Sequence, residues 1–213
     1  MEADNTTVKP NLLQRLMSQQ LLVVGDTHED DEDGALIENE KTMYVVYRYI
    51  AVLHDSGYRF RLWLETGNQY ADALSELGYQ VLDVRLKTKR KDLDDQWFEK
   101  VAAVYEQIRK YAFGENPHNN KKSDLIRHIV SNMSNEEVNN YKAWLSDFVV
   151  PIENEAEDIC EQAKPADCID IVVIGNIHAY YLATKGYPTV HVSDDGTFLE
   201  EYAFINKVLR ELM

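Results

Sequence analysis

Five short stretches of the chain, at 21–24, 60–64, 80–84, 169–174 and 189–192, are apolar, often β-branched, and closed by polar residues or glycine. That pattern predicts buried strands. Four of them are apolar on both faces, as in a sheet covered by helices on each side. After the first strand, Met43, Val46, Tyr47, Ile50 and Leu53 recur at three and four residues and mark one helical stripe. Tyr70, Leu74 and Leu77 repeat that spacing before Gly78, which reads as a helix stop. Strand, helix and strand therefore alternate over residues 21–86, which predicts parallel βαβ units.

The middle third carries a different pattern. Leu93, Trp97, Val101, Tyr105, Ile108 and Ala112 predict a long amphipathic helix. Residues 115–123, with Pro117 and three asparagines, have loop composition. Leu125, Ile129 and Met133 predict a second helix, and Ser134 with Glu137 reads as a capping box that opens a third, carrying Val138, Tyr141, Leu145 and Phe148. Pro151 interrupts or restarts that helix, and 152–162 is helical again. The βαβ pattern then returns, with strands at 169–174 and 189–192 and helices at 177–185 and 198–212. The expected fold is α/β: one domain over 1–213, a mostly parallel central sheet with flanking helices, and a helical insertion at 92–163.

The length and the 45% hydrophobic content allow a sizeable core. Charge is lopsided, with 37 acidic residues against 22 basic, a net of −15. Such a surface repels phosphate backbones, so no nucleic-acid partner is expected, while a cationic or metal partner is compatible with it. No apolar run approaches the roughly 20 residues that span a bilayer, so no membrane partner is expected either. Residues 1–9 are polar and acidic and lack the basic-then-apolar layout of a signal peptide. Cys160 and Cys168, the two cysteines, match neither a disulfide framework nor a zinc ribbon and read as free thiols of a reducing, cytoplasmic compartment.

In open α/β sheets, ligands gather at the carboxyl ends of the strands. Three strands are followed there by chemistry-bearing residues: Gly25-Asp26-Thr27-His28, then Glu65-Thr66-Gly67-Asn68, then Gly175-Asn176-Ile177-His178. Glycine suits such turns, and a histidine just beyond one can project over the sheet edge. Imidazole and carboxylate together bind a transition metal or deprotonate a nucleophile near neutral pH. Glu65 ends a strongly apolar strand, where a carboxylate needs a partner.

The motifs VVGDTH (23–28), LWLETGN (62–68) and VVIGNIHAYYLATKGYPTVHV (172–192), in this order, resemble the TraB/ChaN/erythromycin-esterase-like superfamily, which includes the Tiki proteases. The resemblance implies a hydrolase acting on a peptide or ester bond of a peptide or small-molecule substrate. In Tiki-like members a divalent metal (Mn, Zn or Co here) assists. It makes His28 and His178 ligands or bases and Glu65 a ligand or general acid/base. Family members also supply an arginine from the helical region, for which Arg127 is the candidate. Where members often have Glu after the first glycine this chain has Asp26, a shorter carboxylate. ChaN-like members are associated with haem, so the resemblance also implies an alternative: a non-catalytic metal- or haem-binding protein on the same fold.

Other patterns compete. Glu29, Asp31, Asp33, Gly34 and Glu40 follow the spacing of an EF-hand calcium loop, although Glu stands first and a strand precedes it; such a run is more often a solvated loop. Asp26-Thr27-His28 is similar to the first motif of metallophosphoesterases, but the Gly-Asp-x-x-Asp motif that fold needs is missing. The basic run 87–91 reads as an exposed linker. His54, His118, His128 and His191 read as non-catalytic, and either Tyr180 or Tyr181 is placed to face the site as a hydrogen-bond donor.

Overall fold

The structure is a computed structural model, and it describes residues 18, 20–27, 29–30, 36–37, 40–54, 57–65, 74, 76–78, 81–85, 95–114, 122–162, 168–191 and 196–211. In chain order the elements are β1 (Leu21–Asp26), β2 (Glu29–Asp30), β3 (Leu36–Ile37), α1 (Glu40–His54), β4 (Arg59–Leu64), β5 (Val81–Arg85), α2 (Asp95–Phe113), α3 (Lys122–Asn132), α4 (Asn135–Trp144), a π-helical turn (Leu145–Val149), α5 (Val150–Gln162), β6 (Cys168–Gly175), α6 (Asn176–Thr184), β7 (Thr189–His191) and α7 (Gly196–Glu211). All five strands expected from the sequence form, and they pair in one parallel sheet of order β5-β4-β6-β1-β7. The fold is α/β.

The chain divides into two compact units, 1–87 with 155–194, and 88–154 with 195–213. The first holds the sheet. Its central strands β1 and β6 are buried along both faces, as parallel strands under helices must be. One face, with Leu22, Val24, Phe60, Leu62, Leu64, Ile169, Ile171 and Val173, packs on Met43, Val46, Tyr49, Ile50 and Leu53 of α1. Leu74 is buried in the same cluster, and Gly78 follows with φ +85°, the left-handed stop its position suggests. Strand β4 departs from the expected two-sided burial, because its alternate positions Arg59, Arg61 and Trp63 keep access to solvent. Arg61 and the Trp63 indole both reach Asp170 of β6, whose carboxylate is fully buried: Nε–Oδ1 is 2.6 Å, Nη2–Oδ2 2.8 Å and Nε1–Oδ1 2.9 Å. One bidentate guanidinium and one indole thus satisfy a carboxylate in mid-sheet.

In the second unit α2, α3, α4 and α7 bury Val101, Val104, Ile108, Leu125, Ile129, Leu145, Ile205 and Leu209. The capping box forms: Ser134 Oγ accepts from the Glu137 N–H, and Glu137 Oε2 accepts from the Ser134 N–H at 2.8 Å. The expected interruption forms just ahead of Pro151: α4 ends at Trp144, and α5 restarts at Val150. The π-turn ahead of it, where the Val150 N–H bonds to Leu145 O, carries the chain past a residue that has no N–H and crowds the carbonyl four residues earlier. Helix α7 belongs to this unit, joined to it by polar pairs. Tyr141 Oη donates to Asn206 Oδ1 at 2.9 Å, Arg109 Nε to Glu201 Oε2 at 2.6 Å, and Arg210 Nη2 to the buried Glu153 Oε2 at 2.5 Å.

The acidic stretch has a different form from an EF-hand, which is helix-flanked. Glu29 and Asp30 pair antiparallel with Ile37 and Leu36 as a small hairpin, while residues 31–35 lie outside the described residues, as do the basic run 87–91 and positions 115–121. No helix among the described residues is long and apolar enough to cross a membrane.

Candidate functional site

Parallel register lays four strand ends in one row. Leu64 stands beside Val173, Asp26 beside Gly175, and Gly25 beside His191. The crossovers from β1 and β6 leave this row on opposite faces, α1 against the face just described and α6 against the other, where Gly25 meets Ala179. A site at such strand ends is where open α/β sheets hold ligands.

Glu65 follows β4 directly. Its N–H donates to Val173 O at 3.2 Å, which continues the strand pairing by one step. Its Oε2 accepts from the Gly175 N–H at 2.8 Å. Glu65 is thereby tied to the turn that leads to His178. That turn opens α6 with Asn176, which is 9% exposed and reaches the side chains of Thr27 and His191. Its Nδ2 donates to Thr27 Oγ1 at 2.9 Å, and its Oδ1 lies 3.3 Å from His191 Nδ1.

Gly25 explains how this pair fits. A Cβ at that position would stand 2.3 Å from Asn176 Oδ1 and 2.9 Å from His191 Nδ1, so the glycine of the first motif is the space in which the amide and the imidazole meet. His191 is half-buried, and desolvation holds its pKa below the ordinary 6.5. The Tyr180 ring lies beside it, with centroids 6.1 Å apart. Tyr181 is directed elsewhere, and its hydroxyl donates to Glu157 Oε2 at 3.1 Å.

The residues singled out by sequence are placed as follows. His178 is buried in the first turn of α6 at 9% exposure. Asp26 is buried at the end of β1 at 2% exposure. Strand alternation turns it toward the α1 face, opposite Gly25 and His191. Thr27 is exposed, and His28 lies outside the described residues, as do Thr66, Gly67 and Asn68. Arg127 belongs to the helical unit, where it is largely exposed and pairs with Asp124 one turn away at 3.3 Å.

Two residues of the row were not singled out as site residues, His191 and Asn176. The signal for His191 was its place: β7 ends on it, whereas a strand running to 192 leaves it interior. Asn176 stands inside the second Gly-x-x-His motif, next to the glycine that caps α6.

Among the described residues no three His, Cys, Asp or Glu side chains group as a metal site. Glu65 and His178 have the donor chemistry a divalent cation takes. The chain matches no family model, no curated protein and no solved structure.

Proposed function

We propose that the chain is a hydrolase of ester or peptide bonds, acting at the carboxyl ends of β4, β6, β1 and β7, with His28, Glu65 and His178 at its centre. The observation that carries this reading is the hydrogen bond from Gly175 N–H to Glu65 Oε2, which ties the strand-end glutamate to the second Gly-x-x-His turn. A bound Mn, Zn or Co ion would polarise the scissile carbonyl and lower the pKa of a water. His28, Glu65 and His178 are the residues that would hold it. Asn176 and Thr27 stiffen the rim of the site, and Asp26 places a buried carboxyl group at the end of β1.

The test is a calorimetric titration of Mn, Zn and Co into the wild type and into His178→Ala, followed by turnover of a panel of esters and peptides. Binding that disappears in His178→Ala, with metal-dependent turnover in the wild type, is the expected result. No binding and no turnover would overturn the reading. A second reading, a metal- or haem-binding protein without turnover, draws on the same hydrogen bond: a carboxylate engaged by a backbone N–H can serve to hold the turn alone. Tight ligand binding that survives Glu65→Gln, without turnover, would favour it.

A further inference from the structure

We infer that His191, not assigned by the motifs, is the proton acceptor of this site, and that Asn176 positions it with Nε2 as its reactive nitrogen. The inference rests on the hydrolase reading for the reaction but on the geometry of Asn176 for the chemistry of the ring. The two ends of the amide reach different side chains. Its Nδ2 is directed to Thr27 Oγ1 at 2.9 Å, which leaves Oδ1 facing His191 Nδ1 at 3.3 Å. An amide oxygen only accepts, so the nitrogen opposite it must carry the hydrogen. His191 is therefore the Nδ1–H tautomer, and the lone pair of the neutral ring resides on Nε2.

Three further observations converge on the same ring. His191 ends β7, beside the β1 end, in the row where ligands of such sheets bind. Gly25 leaves room for the amide–imidazole contact, and any side chain there would strike both of its atoms. Burial lowers the pKa of the ring and so favours the neutral form, in which a lone pair is available.

In the reaction, the oxygen of a water attacks the carbonyl carbon while one of its protons passes to Nε2. The new C–O bond forms, and the imidazolium then returns that proton to the alcohol or amine as the old C–O or C–N bond breaks. Asn176 acts only through His191 and is a positioning residue.

The experiment is nitrogen NMR of the uniformly labelled full chain above the His191 pKa. The ring is assigned by its loss in His191→Gln, and spectra are compared for Asn176→Asp, Asn176→Leu and Thr27→Val. Protonated Nδ1 and unprotonated Nε2 are expected in the wild type. Asn176→Asp, whose carboxylate still accepts, should retain that tautomer. Asn176→Leu should lose it, and Thr27→Val, at an exposed position, should give a mixture because the Thr27 hydroxyl no longer orients the amide. A wild-type ring with its hydrogen on Nε2, or a tautomer indifferent to Asn176→Leu and Thr27→Val alike, overturns the inference. Turnover separates it from the reading beneath it. The assigned tautomer with no hydrolysis of any ester or peptide would sink the hydrolase and leave the positioned imidazole standing. Hydrolysis that persists in His191→Gln, where a loss of about 100-fold or more is expected, would sink the role of His191 alone.

Discussion

Glu65 and Gly175 stand 110 positions apart in the chain, and the carboxylate of one accepts the backbone N–H of the other at 2.8 Å. The bond spans from the end of β4 to the end of β6, and it supplies a partner to an amide at the mouth of a buried strand. The same carboxylate thus has a structural task and, in the hydrolase reading, a chemical one.

The two tasks separate by substitution. Glu65→Ala leaves the Gly175 N–H without its acceptor and should cost about 1–3 kcal/mol in urea denaturation. Glu65→Gln keeps an acceptor oxygen, so its stability should stay within about 1 kcal/mol of the wild type while turnover is lost. Full turnover in Glu65→Gln would make the residue structural only.

Asp170 and Arg61 should respond unequally. Asp170 is fully buried whereas the Arg61 side chain is 34% exposed. Arg61→Leu strands a buried carboxylate with only the Trp63 indole and should cost about 3–5 kcal/mol. Asp170→Leu frees a guanidinium that already reaches solvent and should cost less, about 1–3 kcal/mol. Denaturation midpoints that rank the two variants the other way would refute this account of the pair.

His191 gives stability a pH dependence. Its folded pKa is depressed by burial, so as pH falls through 6.5 the unfolded chain takes up a proton that the folded ring refuses. Stability is full above that pH and is lost toward the folded value, then levels once both states are protonated. The urea midpoint should therefore drop more between about pH 8 and about pH 5.5 in the wild type than in His191→Gln. Equal drops would rule out the His191 contribution.

Tyr141 and Tyr202 are pushed up by burial, well beyond an exposed phenol. In an ultraviolet titration they should stay protonated while exposed tyrosines ionise near about pH 10, and they should ionise only as the chain unfolds. Because the unfolded chain ionises first, their contribution is present below that pH and is lost above it. A single titration of all tyrosines with the fold intact would contradict their placement.

Cys160 is buried and its thiol is pushed up to about 12, and Cys168 is buried as well. Neither should react with a thiol reagent in the native protein near neutral pH, and both should react after unfolding. Rapid labelling of Cys160 in the folded chain would be the contrary result.

Hydrophobic spacing foretold all five strands and most helices, because burial on two faces or along one stripe leaves a period in the sequence. It located Glu65 and His178 for the same reason, since each follows an apolar run that had to be a strand. What it missed depends on pairing between distant segments. β7 lies next to β1 and stops at His191, so that histidine meets Gly25, and no local spacing carries that adjacency. The bonds of Arg61 and Trp63 to Asp170 on β6 likewise join segments that no local spacing brings together. The break expected at Pro151 takes the form of a π-turn, which the spacing of apolar residues does not register.

The order β5-β4-β6-β1-β7 also bears on how the protein is made. β1 is complete at Asp26 and β4 at Leu64, yet the strand that lies between them begins at Cys168. At ordinary elongation rates the ribosome needs on the order of ten seconds to supply it. Until then β1 has neither of its neighbours and β4 lacks its inner one, so apolar backbone edges remain open to any other extended chain nearby. The arrival of β6 converts two separate fragments into one sheet.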